Sequence, residues 1–264
     1  MIRVVDVHVV FEAGTVREKR AMNGMSLDIA DGDFVTVIGS NGAGKSTLLC
    51  VLAGELSPTS GQVLFDNTDV SRQPAHERAA LVARVFQDPL AGTCGALTLE
   101  ENLALAARRG QRRGLKLALG RSSRHRYAEI LEPIGLGLEA RLKTNVCLLS
   151  GGQRQAASLL MASMSGSRLL LLDEHTAALD PRTAELVLSL TRKIVDGNKM
   201  TTLMVTHSMT QALEYGDRTV MLDAGRVVLD IAGPERAGTD VAGLLRLFTK
   251  ASHRVLDEDR LLVA

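Results

Sequence analysis

The chain has 264 residues, enough for one large or two modest domains with a proper core, and its 31 basic and 30 acidic residues exert no global pull on nucleic acid or membrane. With no tryptophan, two tyrosines and five phenylalanines it is poorly equipped to stack on a row of bases. Cys50, Cys94 and Cys147 are odd in number and lack CxxC spacing, which argues against a disulfide framework or zinc site and fits a reducing compartment. MIRVVDVHVVF has no signal-peptide core, and no run approaches the ~18 apolar residues of a membrane span.

Residues 2–11 and 25–38 read as β segments, the second closing on FVTVI before Gly39. GSNGAGKST at 39–47 then fits the GxxxxGK[ST] pattern, with a strand before it. After it comes helix-forming STLLCVLAG, 46–54, which stops at a glycine. Glycines in such a loop let backbone N–H groups turn inward around a polyphosphate, where side chains would obstruct them. The cradle is Gly39, Ser40, Asn41, Gly42, Ala43 and Gly44. Lys45 is expected to reach the β and γ phosphates and Ser46 to offer its hydroxyl to Mg²⁺. Thr47 adds a donor near a helix N-terminus, where the dipole favours anions.

GQVLFDN and ALVARVFQ supply two further short β runs. From Thr98 the texture becomes helical: TLEENLALAARR opens with a Thr98–Glu101 capping box, and helical character lasts to about Met164, with loops near Gly110, Gly120 and Gly135. Residues 108–126 carry eight Lys/Arg and no acid. This run reads as a solvated face, or as a contact for anionic headgroups or an acidic partner. Strands return at Leu169–Leu172, TTLMVTH (201–207) and RTVMLDAGRVV (218–228), so the simplest organisation is an α/β core interrupted by a helical insertion at roughly 88–165. TDVAGLLRLF, 239–248, looks like a short packing helix in the tail.

LLLLDEHTAALD, 169–180, places two acids at the end of a strand apolar on both faces, where open α/β sheets bind ligands. Asp180-Pro181 would cut short a helical reading of the same run. Asp173 is expected to be the Mg²⁺-side carboxylate that partners the phosphate loop, and Glu174 the group that polarises an attacking water. Nucleoside-triphosphate hydrolysis is the reading. Ser150 in LLSGGQRQ, 148–155, is placed to N-cap a helix, with Gly151 and Gly152 permitting close backbone approach. That makes a second anion-binding helix terminus in addition to the one at Lys45.

LSGGQ at 149–153 closely resembles the signature of the ATP-binding cassette family, and it stands about twenty residues before the Asp-Glu pair as in that family. Gln87 in VFQDP matches the family's Q-loop, AALD at 177–180 its D-loop, His207 in VTHSM its switch histidine, and Phe11 the aromatic placed under adenine, a position the sequence alone reads equally well as core. The resemblance runs from about residue 2 to 230. It implies an α/β fold, a P-loop NTPase (RecA-like) core with an antiparallel β subdomain and an inserted α-helical subdomain. Its parts would be a core with β subdomain at 1–87 and 166–235, a helical signature subdomain at 88–165, and a tail at 236–264, together one ATPase domain.

The resemblance also implies two copies packed head to tail in a C2 dimer. Each signature (Ser150, Gly151, Gly152, Gln153) would grip the γ-phosphate in its neighbour's cradle. Gln87 would contact Mg²⁺ or the attacking water, His207 would bond the γ-phosphate and orient that water, and Asp180 would touch the opposite cradle. Membrane permease subunits would dock on the helical lobe around 88–105, with an extracytoplasmic substrate-binding protein in the same system. The chain would then lie peripherally on the cytoplasmic face of the inner (plasma) membrane. His175 stands where most members have proline, which reads as variation at an exposed turn. The DEHTAALD wording resembles a bacterial subgroup serving uptake, so the expectation is the ATP-hydrolysing subunit of an importer of a small molecule such as an amino acid. An exporter subunit is the alternative. A cassette acting on nucleic acid or ribosomes has only the basic run in its favour, and no nucleic-acid partner is expected. A cassette that binds ATP without turnover is opposed by the intact Lys45, Asp173, Glu174 and His207.

Overall fold

The structure is a computed structural model, described here for residues 1–110 and 118–250. The strands are β1 (Ile2–Phe11), β2 (Lys19–Ile29), β3 (Phe34–Gly39), β4 (Ser60–Phe65), β5 (Thr68–Asp69), β6 (Val82–Val85), β7 (Leu169–Asp173), β8 (Thr201–Val205), β9 (Arg218–Asp223) and β10 (Arg226–Ala232). The helices are α1 (Lys45–Ala53), α2 (Ala75–Arg78), α3 (Leu99–Ala106), α4 (Arg121–Leu131), α5 (Gly151–Met164), α6 (Pro181–Asn198), α7 (Met209–Tyr215) and α8 (Gly233–Ala237). The chain divides into two compact units, one of Met1–Arg78 with Thr201–Ala264, the other of Ala79–Met200.

In the first unit β2, β1, β4 and β5 form an antiparallel sheet in that order. β3 lies parallel to both β8 and β9, and β10 pairs antiparallel with β9. Two segments read as single β runs are each broken by a turn that the sequence marks, at Asp31-Gly32-Asp33 and at Asp223-Ala224-Gly225. Residues 25–38 hold the end of β2 and β3 up to Ile38, split where Asp33 turns back on Ala30 through its main-chain N–H and its carboxylate. Residues 218–228 are a hairpin whose Ala224-Gly225 pair takes positive φ at both positions, the conformation that two-residue hairpins require. β3 is buried from Phe34 to Ile38, as a strand flanked on both edges must be. Residues 241–250 are helical and Leu244 packs fully buried with Ile38, Met221 and Ile231. The tail segment is thus a packing helix.

In the second unit β6 and β7 pair in parallel from Val82↔Leu169 to Val85↔Leu172. All four leucines of β7 are fully buried, each contributing about 2 kcal/mol of hydrophobic stabilisation. Leu99, Leu103, Tyr127, Leu131, Leu138 and Val146 build a separate core with α5. Thr98 caps α3 with Glu101 returning the bond, the reciprocal box its sequence spells. α6 is the longest of the helices that the sequence reading lacks, with α2, α7 and α8. Asp180-Pro181 begins a helix there rather than ending one, with Asp180 as N-cap and proline at the position where a missing N–H is harmless. The basic run 108–126 falls partly outside the described residues, at 111–117.

Candidate functional site

Within the first unit, the register Val37↔Val205 brings the loop after β3 and the residues after β8 to one carboxyl edge. Gly39 and His207 therefore leave the same parallel pair at the same level, and Thr206 N–H donates to Val37 O. Gly39 has φ 153°, and a Cβ there would lie 2.2 Å from the Leu222 carbonyl oxygen, so only glycine lets the loop start. Ser40 Oγ donates to Asp223, and Gly225 N–H donates to Ala43 O, which fastens the loop to the β9–β10 turn. Gly44 caps α1 with no side-chain bond, leaving the first N–H groups of the helix to whatever sits in the loop.

Lys45 is 6% exposed, and its ammonium donates to the carbonyls of Gly39 and Ser40, 2.9 Å each. A cation held against neutral carbonyls in a ring of backbone donors is an anion receptor. Asn41, Gly42 and Ser46 are exposed around it and Thr47 is half-buried. His207 is exposed, just ahead of α7, whose Ser208 cap accepts from Gln211 N–H. Phe11 ends β1 at 41% exposure, so it is not a core residue.

Within the second unit the Val85↔Leu172 register sets Gln87 level with Glu174, as the first pair sets Gly39 level with His207, and Asp173 ends β7 one residue earlier. Gln87 is exposed and Asp173 half-buried. Asp173 Oδ2 accepts from Arg84 Nη2 at 2.7 Å, and the guanidinium also lies over the Phe86 ring, 4.7 Å from its centre. Glu174 takes φ 44°, a left-handed conformation unusual for a side-chain-bearing residue. His175 corrects the expectation of an exposed turn: it is 3% exposed, and its Nε2 lies 3.0 Å from Thr191 Oγ1 on α6. Burial pushes the imidazole pKa down to about 4.

Ser150 caps α5. Its Oγ accepts from Gln153 N–H and its own N–H donates to Gln153 Oε1. The same oxygen accepts from Arg141 at 2.8 Å, Arg141 also reaches Leu148 O, and Gln153 Nε2 donates to Leu136 O. The signature turn is therefore tied on both sides. A Cβ on Gly152 would lie 2.1 Å from Thr183 Cγ2 on α6, so the glycine is needed for helix–helix approach. Gly151 is half-buried beside Leu179. Asp180, exposed, accepts from Thr183 N–H, and hydrogen bonding to Thr183, side chain before backbone, holds its carboxyl below the usual range. Arg84, Arg141 and Thr191 were missed in sequence. A lone arginine inside the apolar VARVF was the one signal that could have found any of them.

Comparison with known proteins follows the same lines. A family model described as ABC transporter matches residues 22–177. A tyrosine transport ATP-binding protein of Clostridioides difficile (strain R20291) is 48% identical over 227 residues, 86% of this chain and 90% of that one. The thiamine import ATP-binding protein ThiQ of Yersinia pseudotuberculosis serotype I (strain IP32953) is 38% identical over 216 residues, 81% and 85% of the two chains. Among solved structures, a dimeric post-hydrolysis state of the ATP-binding cassette MJ0796 bound to ADP and Pi shares 28% identity at a TM-score of 0.75, covering 88% of this chain and 98% of that one. The chain belongs to the ABC transporter family, as an ABC-type ATPase coupled to transport. Its fold is that of the cassette, a P-loop α/β core with an antiparallel β subdomain and a helical region.

Proposed function

We propose that this chain energises an importer of a small molecule, an amino acid before other classes, and that two copies work head to tail around two ATP. The observation that carries the reading is the pair of helix N-termini prepared for anions, one behind Gly44 in the first unit and one behind Ser150 in the second. Similarity to a tyrosine transport ATP-binding protein supports the amino-acid cargo, and a dimeric relative holding ADP and Pi supports the shared sites. Among the described residues no helix is long and apolar enough to cross a membrane, so transport requires permease chains. We place the ATPase on the cytoplasmic face of the inner membrane, with an extracytoplasmic receptor in the same system.

The roles follow from the chemistry. Gly39 to Gly44 wrap the polyphosphate with N–H groups, while Lys45 neutralises charge on the β and γ phosphates. Glu174 takes a proton from water as the water oxygen bonds to the γ-phosphorus and the bond to the β–γ bridging oxygen breaks, releasing ADP and phosphate; His207 donates to a γ oxygen and orients that water. Ser150, whose cap Gln153 completes, and the N–H groups of Gly151 and Gly152 stabilise the γ-phosphate of the neighbouring copy's ATP. Asp180 contacts that copy's cradle and Phe11 covers the adenine. Ser46, Asp173 and Gln87 offer a hydroxyl, a carboxylate and an amide oxygen, the hard donors that suit Mg²⁺. Bound there, the ion would neutralise phosphate charge.

The test is Glu174→Gln with ATP. Turnover should vanish and dimers should persist through size-exclusion chromatography, whereas normal hydrolysis would remove Glu174 from its role. Ser150→Arg should stop hydrolysis without weakening ATP binding to the isolated chain; equal loss of binding would place the signature's action within its own copy. Reconstitution with permease and receptor should give ATP turnover stimulated by an amino acid, and stimulation by some other cargo class alone would overturn that assignment.

A further inference from the structure

The residue after the hydrolytic carboxylate is built into the second unit in a way that its own chemistry explains. His175 Nε2 lies 3.0 Å from Thr191 Oγ1, and Thr191 Oγ1 donates its single proton to Val187 O at 2.8 Å. The hydroxyl therefore accepts from the ring, which fixes the Nε2–H tautomer and leaves the lone pair on Nδ1. Thr191 itself is buried on α6, a helix anchored by Val187, Leu188 and Val195. The bond thus ties the exit of β7 to a rigid element sixteen positions away in sequence.

His175 also lines an open cleft of 450 Å³ with Gln87, Gly151, Gln155 and Leu179 among others. The turn also contains the one backbone position most in need of restraint, Glu174 at φ 44°. Within the turn Ala177 N–H donates to Glu174 O and Leu179 N–H to Thr176 O. His175 adds a side-chain hydrogen bond to Thr191 on α6.

We propose that His175 is a positioning residue for ATP hydrolysis: through its hydrogen bond to Thr191 it holds the Glu174 backbone in the left-handed conformation that presents the carboxylate to water. This rests on the reading of Glu174 as the group that activates water. It adds a regulator of that carboxylate's placement that touches neither nucleotide nor water.

Thr191→Val keeps the shape of the side chain and removes the acceptor, and Thr191→Ser keeps the acceptor. With the full chain, ATP and magnesium, Thr191→Val and His175→Ala should each lower kcat by about 10-fold to 100-fold, with KM for ATP within about two-fold. Thr191→Ser should turn over like the parent, and nitrogen NMR of the parent should show the Nε2–H tautomer. If His175→Ala does not fold, Thr191→Val alone decides. Parent-like kcat in Thr191→Val, or a rise in KM at constant kcat, would overturn the proposal. So would the Nδ1–H tautomer. Turnover in Glu174→Gln itself would instead sink the general-base reading, and the two failures are told apart by that single variant.

Discussion

Arg84 and Asp173 face each other across the β6–β7 pair at 2.7 Å, with side chains only 10% and 16% exposed. A carboxylate assigned to a metal ion is thus already balanced by a guanidinium that the sequence places 89 positions earlier. A pair this sheltered is sensitive to loss of one member, because the survivor keeps its charge and loses its partner. Arg84→Gln should lower the stability of the nucleotide-free protein by about 2–4 kcal/mol in urea unfolding. The double variant Arg84→Gln/Asp173→Asn should be less impaired than the sum of the singles. Additive losses would mean that the contact carries no coupling energy.

The signature helix makes its closest approach to α6 at Gly152, where a Cβ would stand 2.1 Å from Thr183 Cγ2. Gly152→Ala should therefore destabilise by about 1–3 kcal/mol through overpacking. Thr183→Ser removes the clashing methyl and leaves the N–H that Asp180 accepts from. Adding it to Gly152→Ala should restore most of the stability measured by thermal unfolding. Failure of this rescue would show that α5 needs the glycine for some reason other than α6.

These contacts also mark how far the sequence could be read. The loop from Gly39 to Thr47, the Ser150 cap and the buried Leu169–Leu172 strand were legible because each is written locally, in periodicity, glycine placement or a cap residue. The boundaries within 25–38 and 218–228 were overlooked although Asp31-Gly32-Asp33 and Asp223-Ala224-Gly225 mark them in the sequence; turns at Asp33 and Ala224-Gly225 separate β2 from β3 and β9 from β10. Asp180-Pro181 was ambiguous, since the same dipeptide ends one helix and begins another, and only packing of α6 decides. His175 appeared exposed because an imidazole beside two acids suggests solvent. Its burial depends on Thr191, sixteen residues on, which no local pattern reveals.

Lys45 sets function against stability. Its ammonium is 6% exposed and hydrogen-bonds to the carbonyls of Gly39 and Ser40, so the loop holds a largely desolvated charge. Lys45→Met replaces it with an apolar chain of similar length. Nucleotide binding should fall by about 100-fold or more, since two charge-assisted contacts to phosphate disappear. Stability without nucleotide should stay within about 1 kcal/mol of the parent or rise, as expected where a site is strained for its ligand. Isothermal titration with ATP and urea unfolding of the same sample separate the two. A large loss of stability would make Lys45 a structural residue first.

Arg141 offers the sharpest distinction between building the signature and using it. Its guanidinium donates to Gln153 Oε1 at 2.8 Å and to Leu148 O at 3.2 Å, gripping the residues on either side of Ser150. Gln153 Oε1 in turn accepts the Ser150 N–H, so the arginine steers the oxygen that completes the cap. A forked donor reaches two acceptors at once; an ammonium on a flexible stem does not hold them in one geometry. On the proposal that the signature acts on the partner's nucleotide, Arg141→Ala and Arg141→Lys should both lower ATP turnover, while ATP binding to the isolated chain stays within about two-fold. Steady-state turnover beside equilibrium binding at low protein concentration measures both. If lysine restores turnover, charge alone suffices. If binding falls in step with turnover, the signature and the cradle serve one nucleotide within a single copy, and the shared-site account fails with it.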